Sequence, residues 1–244
     1  MDLIWPDSAL RSQLPDAVRL CFTTRLGGCS SAPFQYGNLA AHVGDDLAVV
    51  RRNRQALLQC MPGARGIQWL EQVHGVACPV AVGGGVTLTA DAAFSDRAGL
   101  ACAVLTADCL PVLFMSRDGT EVAAAHAGWR GLAGGVLLQT VRRFSPASSV
   151  LAVFGPAIGA EDFEVGAEVR EAFAWAPDEC FRPGKPGKYM ADLYAIARYQ
   201  LQLAGVTCLS SPSSERCTMT EHQRFYSYRK EGRTGRQASL IWSV

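Results

Sequence analysis

Four histidines occur in the 244-residue sequence, at positions 42, 74, 126 and 222, and two of them stand where strand-forming runs meet small residues. His126 closes the apolar run Val122–Ala125 and is followed by Ala127-Gly128-Trp129-Arg130-Gly131. His74 closes the run Ile67–Val73 and is followed by Gly75. Cys109 sits between them in Ala107-Asp108-Cys109-Leu110-Pro111, where a third apolar run breaks. Two imidazoles and one thiolate form a ligand set for zinc that leaves the fourth tetrahedral position open to water. Zinc at such a position brings the pKa of that water toward neutrality.

The same three residue types permit other chemistry. With Met115 or Met190 as a weak axial ligand they would make a blue-copper centre. Alternatively, Cys109 could be a nucleophile activated by His126 or His74 in a hydrolase or amidase. A free cysteine beside an apolar strand is ordinarily just a small core residue. A multicopper cluster is excluded, because four histidines with no His-x-His pair are too few imidazoles to build one. Asp108 either orients a ligand as an outer carboxylate or caps a turn. His42 and His222 read as loop residues, although His42, ending Asn38-Leu39-Ala40-Ala41-His42, could line a cleft.

Positioning these side chains falls to strands and turns. Separations of 35 and 17 residues along His74, Cys109 and His126 are too long for a local motif, so strand ends on one rim must bring them together. A strand over Ile67–Val73 delivers His74. A continuous strand over Gly99–Thr106 ends or bends at Ala107–Pro111 and resumes over Val112–Met115, and Arg117–Thr120 turns it into the strand that ends at His126. A helix carrying Leu132, Val136, Leu137, Val141 and Phe144 inward follows. Its N-terminus, the glycines beside it and Arg130 would suit an anion.

Elsewhere, Asp45 or Asp46 caps a helix reaching about Cys60. Asp162 starts a helix with Val165, Val169 and Phe173 on one face. Asp192 caps another, with Leu193, Ile196, Ala197, Leu201 and Ala204 inward and Gly205 as its stop. Tyr226 and Tyr228 alternate on a strand and so point the same way. Helices interleaved with hairpin-linked strands predict an α+β fold, mixed β-sheets flanked by helices, in a single domain spanning 1–244.

Composition narrows the function classes. With 49% hydrophobic and 18% charged residues the chain can bury a substantial core. A formal net charge of +1 supplies no field for nucleic acid, and the cations of the Arg224–Arg236 segment lack an interleaved aromatic array. No apolar run approaches the ~18 residues of a membrane helix, and Met1–Pro6 has no signal-peptide pattern. Nine cysteines with no Cys-x-x-Cys spacing predict reduced thiols and a cytoplasmic protein.

The segments Thr24–Gly28, Asn38-Leu39, Gly44–Asp46, Asn53-Arg54, Gln72–Gly75, Thr106–Pro111, His126–Gly131, Gly155–Gly159, Cys217-Thr218, Phe225–Arg229 and Thr234–Arg236, in this order, give the chain a close resemblance to a bacterial family. It resembles the YfiH/YlmD-like proteins, once labelled multicopper polyphenol oxidases or laccase-domain proteins. The resemblance covers nearly the whole chain and implies a YfiH-type fold and a zinc site made by His74, Cys109 and His126, with copper as the alternative metal.

The resemblance further implies phosphorolysis of adenosine, inosine and methylthioadenosine, and deamination of adenosine. A second activity implied is the editing of peptidoglycan precursors, by removal of a misplaced serine from a nucleotide-linked muramoyl precursor. The partners implied are a purine nucleoside and phosphate, with no nucleic acid and no membrane and with the oligomeric state open. Under that reading Arg25, Arg130 and Arg229 are candidates for phosphate oxygens, because guanidinium forks match them. Gln72 and Asn38 are candidates for purine or ribose edges.

Overall fold

The computed structural model describes residues 1–146, 149–211 and 214–244. Two large sheets pack face to face. The first has the order β1 (Leu3–Ile4), β2 (Val18–Thr23), β14 (Gln237–Ser243), β6 (Leu100–Thr106), β3 (Gly66–Glu71) and β4 (Thr87–Thr89). The second has the order β13 (Thr207–Leu209), β9 (Val150–Phe154), β7 (Leu110–Ser116), β8 (Val122–Ala127) and β5 (Ala92–Ser95). A small third sheet holds β10 (Glu164–Gly166), β12 (Lys188–Ala191) and β11 (Phe181–Pro183). The helices are α1 (Ser8–Arg11), α2 (Leu47–Gln59), α3 (Trp129–Gly134), α4 (Val136–Val141), α5 (Ala167–Ala172), α6 (Leu193–Leu203) and α7 (Tyr228–Glu231). Both large sheets are mixed: β3 runs parallel to β6 and β4, β13 parallel to β9, and the remaining ladders are antiparallel. The architecture is therefore the α+β arrangement of mixed sheets and flanking helices that the sequence predicts.

The burial pattern explains the layering. Strands β6 to β9 are buried along their whole length, so both of their faces need cover. Alternation sorts their side chains. Leu113, Met115, Ala124, Leu151 and Val153 meet Leu20, Phe22, Val104 and Ile241 between the two sheets. On the outer face of the five-stranded sheet, Val112, Phe114, Ala125 and Phe154 pack against Leu132 and Leu137 and against Leu193, Ile196 and Leu201 of α6. The outer face of the six-stranded sheet is covered by α2 through Leu57. Asp46 and Asp192 cap α2 and α6 as expected, accepting hydrogen bonds from Ala48 N and Ala195 N.

Several local expectations give way to tertiary structure. Of the two readings at Ala107–Pro111 the strand ends there and does not bend, because β6 lies in the first large sheet and β7 in the second. The expected helix over 132–144 is two short helices, because Gly135 turns left-handed (φ 91°) and ends α3. Val165 pairs with Tyr189 in the small sheet, so α5 starts after Gly166 rather than at Asp162. Ala204 lies outside α6 and is exposed. Tyr226 and Tyr228 do not share a face: Ser227 caps α7 between them, leaving Tyr226 fully buried and Tyr228 61% exposed.

Candidate metal centre

Three chain segments end at one rim of the two-sheet sandwich. His126 is the next-to-last residue of β8, opposite Pro111 of β7. Cys109 is in the crossover that carries the chain from β6 in one sheet to β7 in the other. His74 lies three residues beyond the end of β3, not on the strand itself. Its backbone is left-handed (φ 60°), as is that of Asp108 (φ 90°). A non-glycine residue pays conformational energy for such a backbone, and such residues cluster at sites where surrounding structure fixes them. The ligand atoms of His74, Cys109 and His126 all lie within 4.8 Å of one another, and the imidazole centroids are 4.8 Å apart. The trio that spacing alone left undecided is thus assembled.

The carboxylate that positions it is Asp91, not Asp108. Asp91 is fully buried just before β5, next to β8, and its two oxygens accept from Val73 N (3.1 Å), His74 N (2.9 Å) and Gly75 N (2.6 Å). Its Oδ1 also lies 2.8 Å from His126 Nδ1, and its carbonyl accepts from His126 N at 2.7 Å. One side chain therefore holds the strained His74 loop and directs the His126 ring so that Nε2 is left for the cluster, the arrangement that metal-bound histidines require. Asp108 instead accepts from Thr218 Oγ1 and Arg229 N, both at 2.6 Å, and so stabilises the Cys109 turn.

The electrostatics agree with this geometry. Burial of His126 opposes its charged form, but the adjacent Cys109 sulfur and the Asp91 carboxylate outweigh it and raise the imidazole to about 9. Burial also works against the Asp91 carboxylate. Hydrogen bonds from His126 and from the Gly75 and Val73 amides overcome that penalty and hold it below the ordinary carboxylate value. His74 is lowered by burial, and then by the neighbouring His126 charge.

A metal ion fits the donor set. At Gly128 a Cβ would stand 2.8 Å from His74 Nδ1 and 3.1 Å from Cys109 Sγ, so the chain keeps side-chain volume away from the two ligands. Two imidazoles and a thiolate suit zinc or a single copper. The methionines considered as axial copper ligands stand elsewhere. Met115 pairs with Val122, four residues along β7 from the Pro111 that faces His126, or roughly 13 Å at strand rise. Met190 lies in β12 between Glu164 and Arg182.

The cluster opens into a cavity of about 420 Å³ lined by His42, Gln72, His74, Leu105, Thr106, Ala107, Cys109, His126, Tyr228 and Arg236. His42 does line the cleft. The amide of Gln72 is there too, pinned by Nε2 donating to Leu105 O and Oε1 accepting from Leu105 N. The other polar candidates are engaged away from the cavity. Asn38 is fully buried, donating to Ala40 O and Asp45 and accepting from Ala40 N and Arg236 N, which leaves it no ligand edge. Arg25 donates to Gln35 O, His222 O and Glu231 and stacks over Tyr226. Arg130 is exposed over the Trp129 ring, on a helix of only six residues. Arg229 donates to Glu164 O and lies over Phe163 in a separate cleft. What sequence reading missed is Asp91 and Arg236. Asp91 had a faint signal, as an acid directly before the apolar run Ala92-Ala93-Phe94. Arg236 had one as the final cation of the basic tail and as the end of the Thr234–Arg236 segment.

The multi-copper polyphenol oxidoreductase laccase family matches residues 19–244. A purine nucleoside phosphorylase of Pseudomonas aeruginosa is 51% identical over 236 residues, covering 93% of this chain and 94% of its own. Purine nucleoside phosphorylase YfiH of Escherichia coli is 47% identical, covering 94% of this chain and 96% of its own. Among solved structures, a Neisseria meningitidis protein superposes with a TM-score of 0.89 at 43% identity, covering 100% of this chain and 99% of that one. YlmD of Geobacillus stearothermophilus superposes with a TM-score of 0.83 at 32% identity, covering 93% of this chain and 92% of that one.

Proposed function

Because the chain belongs to the multi-copper polyphenol oxidoreductase laccase family, with YfiH and YlmD among its relatives, we propose that it is a zinc-dependent purine nucleoside phosphorylase. Its substrates on this reading are adenosine, inosine and methylthioadenosine, and it also deaminates adenosine. The observation that carries the reading is the His74–Cys109–His126 cluster at the wall of a cavity whose volume suits a small organic ligand. The names of the relatives point to the nucleoside. Copper oxidation by a multi-metal cluster is not favoured, because the cavity offers one further imidazole, His42, and no methionine.

A zinc ion held by His74, Cys109 and His126 would supply Lewis-acid polarisation at the cavity wall. The protein's own groups supply the rest. Asp91 fixes the His126 tautomer through Nδ1, so that Nε2 faces the cluster. His42 is lowered by burial and then by the Arg236 and Arg54 charges, so it presents a neutral imidazole that can donate to or accept from a purine edge. Gln72 keeps one amide N–H beyond its bond to Leu105 O. The exposed Tyr228 ring offers a stacking surface at the cavity wall. In phosphorolysis the ribose C1′–N9 bond breaks and a C1′–oxygen bond to phosphate forms. In deamination water adds at C6 and ammonia leaves.

Elemental analysis of the purified protein, followed by incubation with adenosine with and without phosphate, tests the reading. One zinc per chain, adenine with ribose 1-phosphate in phosphate, and inosine with ammonia without it are expected. His126→Ala should lose the metal and all turnover while remaining folded; full phosphorolysis by that variant would contradict the assignment. A chelator separates this enzyme from a cysteine hydrolase, since activity that survives metal removal and dies with alkylation of Cys109 assigns the chemistry to the thiol. An intense blue protein on copper loading, with reversible one-electron reduction, would assign it to copper.

A further inference from the structure

Phosphorolysis needs a place for phosphate, and the cavity contains one cation with unused donors. Arg236 is half-buried at the start of β14, and its Nη1 donates to Thr234 O (2.9 Å) and Gly235 O (2.8 Å). Among the described residues no hydrogen-bond acceptor meets its Nε or Nη2. Those two nitrogens form one edge of the guanidinium, the fork that binds two oxygens of a tetrahedral oxyanion side by side. Arg236 lines the same cavity as His74, Cys109 and His126.

A second orphan lies on the same wall. Thr106 is 1% exposed, and its Oγ1 has no hydrogen-bond partner. Its Cα partner across the β6–β14 ladder is Gln237, the neighbour of Arg236. A buried hydroxyl without a partner is costly to keep, and Thr106 is one of the residues that line the cavity. The cleft also continues past His42, Tyr228 and Arg236 into a second compartment of about 480 Å³ that adds Arg233, so the wall is electropositive beyond the cluster.

Resting on the phosphorylase reading, we propose that the Nε/Nη2 edge of Arg236 and the Thr106 hydroxyl form the binding site for inorganic phosphate. Arg25, Arg130 and Arg229 then have no direct part in it. Phosphate seated there lies on the cavity side of the cluster, where one of its oxygens can attack a ribose C1′ as the C1′–N9 bond breaks and its electron pair leaves with the purine, and Arg236 holds the attacking anion in place.

The test is phosphate binding by the metal-loaded protein, followed by calorimetry with inorganic phosphate alone and by steady-state kinetics with adenosine. Arg236→Gln should weaken phosphate binding at least tenfold, with a matching rise in the KM for phosphate. Metal content and the KM for adenosine should hold near the parent values. Arg236→Lys should restore part of the loss, because it returns the charge but not the fork, and Thr106→Val should weaken phosphate severalfold without changing the unfolding temperature by more than a few degrees. Unchanged phosphate affinity in Arg236→Gln would overturn the assignment, as would an equal loss of phosphate and adenosine affinity, or no phosphate binding by the parent. A loss seen with a nucleoside diphosphate but not with inorganic phosphate would also overturn it. If the parent binds phosphate through Arg236 yet leaves adenosine intact, the anion site stands and the phosphorylase reading falls. If the parent phosphorolyses adenosine and Arg236→Gln keeps its phosphate KM, the reverse holds.

Discussion

One buried carboxylate, Asp91, connects the two histidines of the cluster. It gathers three successive amides from the His74 loop and the Nδ1 of His126. Asp91→Asn keeps the shape but replaces one accepting oxygen with a donor facing those amides. Metal affinity should fall about 10- to 100-fold, the usual cost of losing an outer-shell partner, as measured by competition with a chromophoric chelator; an unchanged affinity would remove Asp91 from this role. The charge state of His126 gives a pH prediction. Its folded pKa, about 9, lies above the ordinary 6.5. The ion pair it makes in the metal-free protein is therefore fully present below pH 6.5 and is lost as the pH rises through 9. Over that same window a metal no longer has to displace the proton. Unfolding temperature of the metal-free protein should fall between pH 6.5 and 9 while metal affinity rises, with protons released on metal binding at the lower end. A flat affinity across this range would show that His126 is already neutral.

Among the elements, the turn from β8 into α3 controls access to the ligands. Gly128 is the N-cap of α3 and has a backbone any residue could adopt (φ −62°). Its glycine is demanded by proximity, since a methyl group there would press on His74 Nδ1 and Cys109 Sγ. Gly128→Ala should therefore leave folding nearly intact but displace the two ligands, lowering metal content well below one per chain; normal metal stoichiometry would contradict the contact. Gly135 is the opposite case. Nothing lies within 4 Å of its Cβ position, yet its φ is 91°. Gly135→Ala should cost about 1–2 kcal/mol of stability through left-handed strain and leave the metal untouched, which chemical denaturation and elemental analysis would check together.

For the molecule as a whole, two mixed sheets with helices outside both hold three loop ends at one rim, and the core sets their spacing. Phe114 of β7 is fully buried between that strand and the helices outside the five-stranded sheet. Phe114→Ala should cost about 3–5 kcal/mol, read by denaturant unfolding, and a cost below 1 kcal/mol would show that the layer collapses around the gap. No helix among the described residues is long and apolar enough to cross a membrane. The sequence alone determined the candidate ligand residue types, the strand runs of β6 to β8, a cap at Asp45 or Asp46 and another at Asp192, and the α+β class, because each is written in local periodicity or in a single capping side chain. Only the tertiary structure decided that β6 and β7 part into different sheets, that His74 leaves its strand before reaching the cluster, that Asp91 rather than Asp108 holds the histidines, and that Arg236 rather than Arg25 faces the cavity. Those outcomes rest on contacts between residues 16 to more than 100 positions apart along the chain, and no pattern within one segment encodes which distant partner a polar side chain will meet.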